Sequence, residues 1–193
     1  MSAFISEPTR PPLLLKLGIW IAERFTGKVM LPARILAWYP KAAIGSGFLE
    51  GLTAHGRNDA EKRLLRLVRL QAAFTVACPF CFDMNSFEYD KHGILESELD
   101  GLIGGFKEGF PSTFSNRDKL ALEYSRLIAA TPLSFPDEFV VMLKAEFSER
   151  EIVMLAATAA QVNYWARLIQ ATGIPPAGFS DKCRLPTDHA KRN

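Results

Sequence analysis

Apolar residues recur at intervals of three and four along almost the whole chain, and no segment alternates convincingly in the two-residue rhythm of a half-buried strand. That pattern restricts the fold to packed helices. Its strongest instance begins at Ser148-Glu149-Arg150-Glu151, a capping box that predicts a helix over Ile152 to Thr172, closed by Gly173 and the Pro175-Pro176 pair. Upstream, Pro11 and Pro12 open a helix carrying Leu14, Leu15, Ile19 and Phe25 to about Gly27. Leu31 to about His55 is also helical, but Pro40, Gly45, Gly47 and Gly51 interrupt it, so a kink or two shorter helices are expected. Asp59 is placed to cap a third helix, Ala60 to about Ala77, with Leu64, Leu67, Val68, Gln71 and Ala72 on one face. The next helix starts at Cys78-Pro79 and extends to His92-Gly93. Glu96 to Leu102 makes a short helix, followed by a glycine-rich loop to Pro111. One more helix opens at Ser115 and stops before Pro132, and another runs from Pro136 to about Phe147.

At 193 residues a single domain buries about 70% of its unfolded surface, so neither a metal nor a disulfide is needed to hold it together. Lys and Arg number 23 against 21 Asp and Glu, a net charge of +2 that offers no basic face to nucleic acid. The 48% hydrophobic and 23% charged fractions are those of a globular protein and exclude disorder and collagen-like repeats. Leu13 to Ala22 is apolar and follows Arg10, yet Lys16 interrupts it and no small-x-small cleavage site follows, which argues against a signal peptide. No uncharged run reaches the roughly 18 residues a bilayer span requires. Three cysteines, an odd and low count, do not make a disulfide framework and point to a reducing, cytoplasmic setting.

Two of them form Cys78-Pro79-Phe80-Cys81, one helical turn apart at a helix start. Unsatisfied N–H groups and the positive end of the helix dipole stabilise a thiolate there. Cys78, at the expected N-cap, is the better nucleophile, and Cys81 is placed to resolve a sulfenic acid or mixed disulfide. Two other readings share the spacing. A zinc site needs two more ligands, with His92, Cys183 and His189 the available candidates and no second half-site in the sequence. Two inert, buried cysteines packing as small hydrophobes are the third.

The stretch Leu64 to Leu70, then Cys78-Pro79-Phe80-Cys81-Phe82-Asp83-Met84-Asn85, resembles the signature of the AhpD-like, or carboxymuconolactone decarboxylase, superfamily. The segment from Phe147 through Asn163-Tyr164-Trp165-Ala166-Arg167 to Pro176 resembles its closing helix. The resemblance covers about residues 57–179 and implies an all-α, AhpD-like domain that assembles into homo-oligomers, preceded by an N-terminal helical extension over 1–56 and followed by a polar tail over 180–193. In the alkylhydroperoxidase branch it implies a relay in which a Glu and a His draw the proton from the second cysteine, so that the first attacks peroxide. The thiols fall on Cys78 and Cys81, but Arg66 stands where the Glu belongs and Asn85 where the His belongs. General base help contributes 10²–10⁴-fold, so another group must supply it for a fast reaction. Glu88, seven residues beyond Cys81, is expected on the same helix face as the substitute base, while Asp83 points away. Arg66 is either a fixed cation beside the thiols or one of a solvated row with Arg63 and Arg69. His92 is expected to be favourable as a cation at a helix C-terminus.

The decarboxylase chemistry uses histidines, and the core offers only His92. Gln161, Asn163 and Arg167 interrupt the last helix and are expected to form a polar seam at a helical interface, to line the pocket or to bridge subunits; Trp20, Trp38 and Phe48 are expected to pack, with a second subunit as one candidate surface. No flavin or nucleotide motif is present, and no cofactor or metal is expected. The leading function is a thiol-dependent oxidoreductase of the peroxidase or disulfide-reductase type, taking a hydroperoxide or disulfide substrate and recharged by an external thiol. The alternative is a non-catalytic helical oligomer serving as a binding or interaction scaffold.

Overall fold

In a computed structural model, which describes residues 3–52, 56–106 and 109–181, the chain is helical throughout, with no strand among the described residues. Among the described residues nine α-helices follow in order: α1 Leu13–Thr26, α2 Leu31–Leu36, α3 Pro40–Leu52, α4 Asp59–Thr75, α5 Pro79–Ser86, α6 Glu96–Ile103, α7 Asn116–Ala129, α8 Asp137–Glu146 and α9 Glu149–Ala171. A 3₁₀ turn, Tyr89–His92, lies between α5 and α6. His55, Cys183 and His189 lie outside the described residues.

The apolar stripe of α4 packs against α7, α9 and α5 at the centre of the molecule. Leu67, Val68 and Leu70 are fully buried there, facing Leu122 of α7 and Leu155, Ala159 and Ala166 of α9. Burial of each such leucine contributes about 1.5–3 kcal/mol relative to leaving it exposed. Two capping boxes fix the starts of α7 and α9, Ser115 with Asp118 and Ser148 with Glu151. At the far end of α9, Gly173 takes φ +67, and a Cβ there would collide at 2.5 Å with the ring of Phe4. Glycine therefore lets the chain start dock on the α9 terminus, where Phe4 N–H donates to the Thr172 carbonyl at 2.9 Å.

Several expected boundaries shift, each for a local reason. Asn58, rather than Asp59, caps α4, because its Oδ1 accepts the Glu61 amide at 2.9 Å. The break after α2 falls at residues 37–39, and the three glycines of α3 remain helical. The cysteine helix ends at Ser86 instead of His92. Asn85 Nδ2 and Ser86 Oγ turn back to the carbonyls of Cys81 and Asp83 at 2.7 and 3.1 Å, a local alternative to continued helix. Phe87 then swings onto the Phe179 ring, with centroids 5.9 Å apart, and Glu88 takes a left-handed φ of +50.

The three arginines of α4 do not form a solvated row. Arg63 donates to Glu98 at 2.7 Å, Asp118 at 3.0 Å and the Gly93 carbonyl at 2.9 Å, tying α6, α7 and the turn between the cysteine helix and α6 to the core. Arg66 and Arg69 turn toward α5.

Candidate active site

The site begins where α4 stops. Ala77 adopts φ +48, and Cys78 N–H reaches back to the Ala73 carbonyl at 3.0 Å, a left-handed closure that reverses the chain in one residue. Cys78 then becomes the N-cap of α5, with Pro79 in the first turn and its Sγ accepting the Cys81 amide at 3.3 Å.

The two thiols are hydrogen-bonded to one another and differ sharply in acidity. The Cys81 thiol donates to the Cys78 sulfur, and the amides of Cys81 and Phe80 and the side chain of Gln170 add to it; against the burial of the site, these hold Cys78 below the ordinary thiol value. Cys81 is driven far upward, first by that shared proton and then by burial, with Arg69 opposing. Negative charge on the pair therefore rests on Cys78.

Access is distributed the other way. Cys78 is fully buried, with 0% of its surface exposed, and lies beneath Gln170, whose amide donates to the Val76 carbonyl at 3.1 Å. Cys81, also buried at 5% exposed, lines an apolar cavity of about 70 Å³, walled in addition by Phe80, Met84, Val162, Trp165 and Ile169 and by Met30, Pro32 and Ala33. The sulfur expected to meet the substrate is thus enclosed, and its partner fronts the open space.

Three polar side chains complete the cavity: Glu50, Arg69 and Asn85. Arg69 is held from three directions: Nε donates to Asn85 Oδ1 at 2.7 Å, Nη1 to Gln161 Oε1 at 3.1 Å and Nη2 to Glu50 Oε1 at 3.0 Å. The other Glu50 oxygen accepts from Gln161 Nε2 at 2.8 Å and Trp165 Nε1 at 2.9 Å. No described buried side-chain nitrogen or oxygen lacks a partner, as the cost of an unmade buried bond requires.

The expected helpers are placed differently. Asn85 is at the site, but as a bridge between Arg69 and the Cys81 carbonyl. Arg66 is largely enclosed and spends its guanidinium on the Asn85 carbonyl at 3.3 Å and on His92 Nε2 at 2.6 Å. Burial first, and then the charge of Arg69, push it down to about 10, still cationic at neutral pH. Glu88 is not on the cysteine helix: with α5 ended at Ser86, it is exposed and pairs with Lys91 at 2.5 Å. His92 accepts from a guanidinium, and burial followed by that charge holds it below its ordinary value, so it is not the stabilised cation expected at a helix end. Asp83 is fully buried, and its carboxylate accepts the amides of Gly178, Phe179 and Ser180. Asn163 bonds within α9 to the Ala159 carbonyl, away from the cavity. No group of three or more potential metal ligands occurs among the described residues.

The sequence held signals for the site residues Gln161, Trp165 and Glu50, of which it singled out Gln161 alone as a candidate lining residue. Gln161 and Trp165 are four apart and share a face of α9, and Glu50 is the sole acidic residue between Glu23 and Asp59. What the sequence lacked was any indication that α3 returns to α4 and α9.

No protein-family model matches the chain. The uncharacterized protein YnjA of Escherichia coli (strain K12) is 27% identical over 175 residues, which is 91% of this chain and 93% of that protein. A solved structure described as an alkylhydroperoxidase AhpD core, an uncharacterized peroxidase-related protein from Ralstonia eutropha JMP134, superposes with a TM-score of 0.76 at 12% identity over 95% of both chains. The chain has the AhpD-like fold. The debrominase Bmp8 in complex with 2,3,4-tribromopyrrole shares it at a TM-score of 0.73 and 13% identity, over 97% of this chain and 99% of that one. No described helix is long and apolar enough to cross a membrane.

Proposed function

We propose that the chain is a thiol-dependent oxidoreductase in which Cys78 and Cys81 cycle between dithiol and disulfide. One observation carries this reading: the two cysteines lie one turn apart at the start of α5, with Cys78 Sγ accepting the Cys81 amide at 3.3 Å and Cys81 on the wall of the cavity; the lowered pKa of the Cys78 thiol agrees with it. The AhpD-like fold, shared with peroxidase-related proteins, supports it.

The geometry favours a division of labour opposite to the one expected from the sequence. A hydroperoxide ROOH enters the cavity and meets Cys81. As the Cys81 sulfur attacks the O–O bond, its proton passes to the Cys78 thiolate and on to the departing RO⁻, giving ROH and a sulfenic acid at Cys81. The Cys78 thiolate then attacks that sulfur, the S–O bond breaks, the departing hydroxide takes a proton from solvent and leaves as water, and the disulfide forms. An external dithiol restores the pair by thiol–disulfide exchange. Cys78 thereby supplies the base function that the missing Glu and His leave open. A homo-oligomeric state accompanies this reading, supported by α1, which buries none of its residues and leaves Leu13, Leu14, Leu17, Trp20 and Phe25 exposed.

The test is a count of free thiols in Cys183→Ser protein before and after one equivalent of tert-butyl hydroperoxide. Two thiols should be lost together, none in Cys81→Ser, and Cys78→Ser should stop at a sulfenic acid that dimedone traps. Two thiols that stay unreactive in the native protein would leave only a binding or interaction scaffold.

A further inference from the structure

One wall of the cavity comes from a part of the chain with little hold on the rest. Met30 and the α2 residues Pro32 and Ala33 line the same cavity as Cys81, whereas α1 buries nothing and α3 buries only Ser46. Beside the Phe4 contact with the end of α9 and the buried residues of α2, the side-chain hydrogen bonds converge on one carboxylate. Glu50 takes hydrogen bonds from Arg69, Gln161 and Trp165, and Gln161 also reaches the Leu49 carbonyl at 3.2 Å. Another polar tie, Ser46 Oγ to the Tyr164 hydroxyl at 2.6 Å, and the buried side chains of Pro32, Ile35, Leu36 and Ala37 add to the seam.

We infer that this N-terminal wall sets which molecules reach the thiols: Ala33 limits their size, and Glu50 is the positioning residue that clamps the wall onto α4 and α9. The inference rests on the proposed role of Cys81 only in taking that sulfur as the one that meets the substrate. Three features argue for it. The cavity is small, about 70 Å³, so one side chain on its wall changes its capacity severely. Ala33 has the smallest side chain among the lining residues, and enlarging it projects atoms toward Cys81 without touching α5 or α9 in sequence. Glu50 and Arg69 carry the only opposed permanent charges on the lining, and they face each other at 3.0 Å, which leaves the space without net charge and suited to a neutral, mostly apolar molecule. Both Glu50 oxygens are occupied by three donors, so the carboxylate is built to hold partners in place rather than to take a proton from sulfur.

Size-resolved alkylation tests this without requiring peroxidase activity. In reduced Cys183→Ser protein, the rate at Cys81 is read by peptide mass spectrometry with iodoacetamide as the small probe and monobromobimane as the bulky one. Ala33→Phe should lower the bulky-to-small rate ratio at least about tenfold. Glu50→Ala should raise it several-fold by releasing the wall, and Glu50→Asp should fall between Glu50→Ala and wild type, an ordering that a general loss of packing would not produce. A ratio unchanged in Ala33→Phe overturns the size limit. A ratio unchanged in Glu50→Ala, with its circular dichroism intact, overturns the clamp. Because the probes are alkylators, a chain inert to hydroperoxide would still yield these ratios, so the proposed activity and the role of the wall fail separately.

Discussion

Asn85 joins the cation of the site to the cysteine helix: its Oδ1 accepts from Arg69 Nε at 2.7 Å, and its Nδ2 donates to the Cys81 carbonyl at 2.7 Å. It stands at the position where the family resemblance places a histidine, and it performs a different task. Asn85→Ala removes both bonds and leaves the Arg69 Nε–H without its partner in a site that is only 3% exposed at residue 85. An orphaned buried donor on a charged group costs about 1–3 kcal/mol or slightly more. Urea unfolding should therefore show a lower midpoint with an unchanged slope. A midpoint within error of wild type would mean that the bridge adds nothing to stability.

Asp83 holds the chain beyond α9 onto α5. Its carboxylate accepts from Gly178 and Ser180 at 2.8 Å each and from Phe179 at 3.1 Å, which seats the Phe179 ring against Phe80 and Phe87. Asp83→Ala strips three acceptor contacts at once and leaves amide donors without that partner, which should cost about 1–3 kcal/mol. Hydrogen exchange at the amides of residues 178–180 should accelerate by orders of magnitude, while the α4 core exchanges as before unless global stability falls. Unchanged protection at those three amides would contradict this latch.

The fold was legible because helical period and caps are local properties. Ser115 and Ser148 with their acidic partners mark two helix starts, and the Leu64, Leu67 and Val68 stripe marks the buried face of α4. The cysteine pair was legible for the same reason, since its capping geometry depends on only four residues. The rest of the site was not. Glu50 meets Arg69 across 19 residues and Gln161 across 111, and neither pairing follows from a local rule. Glu88 was misplaced because Asn85 and Ser86 compete with the helix they sit in, and that early stop rotated everything after it out of register. Arg66 and Arg69 looked alike in sequence, and tertiary packing alone decided that Arg69 faces the cavity.

His92 gives a pH signature with a defined sign. Burial and the Arg66 charge hold it below its ordinary value in the folded state, so on acidification the unfolded chain takes up the proton first. Stability is therefore lost as pH falls from about 6.5, the unfolded value, toward the lower folded one, and this contribution levels off below that. His92→Gln keeps an acceptor for Arg66 and removes the titration. Denaturation at pH 7.5 and 5.5 should show a smaller acid-induced loss in His92→Gln than in wild type, and an equal loss in both would refute the assignment.

The unequal acidity of the two sulfurs predicts how many thiolates form. Cys81 lends its proton to Cys78, so the pair should release one proton at a midpoint below the ordinary thiol value of about 8.5 and hold the second far into the alkaline range. Thiolate absorbance at 240 nm in reduced Cys183→Ser protein reads this directly: one thiolate per chain should appear below about pH 8.5 and no second up to about pH 10. Cys81→Ser retains a hydroxyl donor and should leave a single low midpoint. Cys78→Ser removes the acceptor and should move the remaining thiol, Cys81, above 8.5, because burial then acts on it without an adjacent thiolate to share the proton. Two thiolates rising together near pH 8.5 in the unsubstituted pair would mean that the sulfurs do not share a proton, and the division of labour between Cys78 and Cys81 would lose its physical basis.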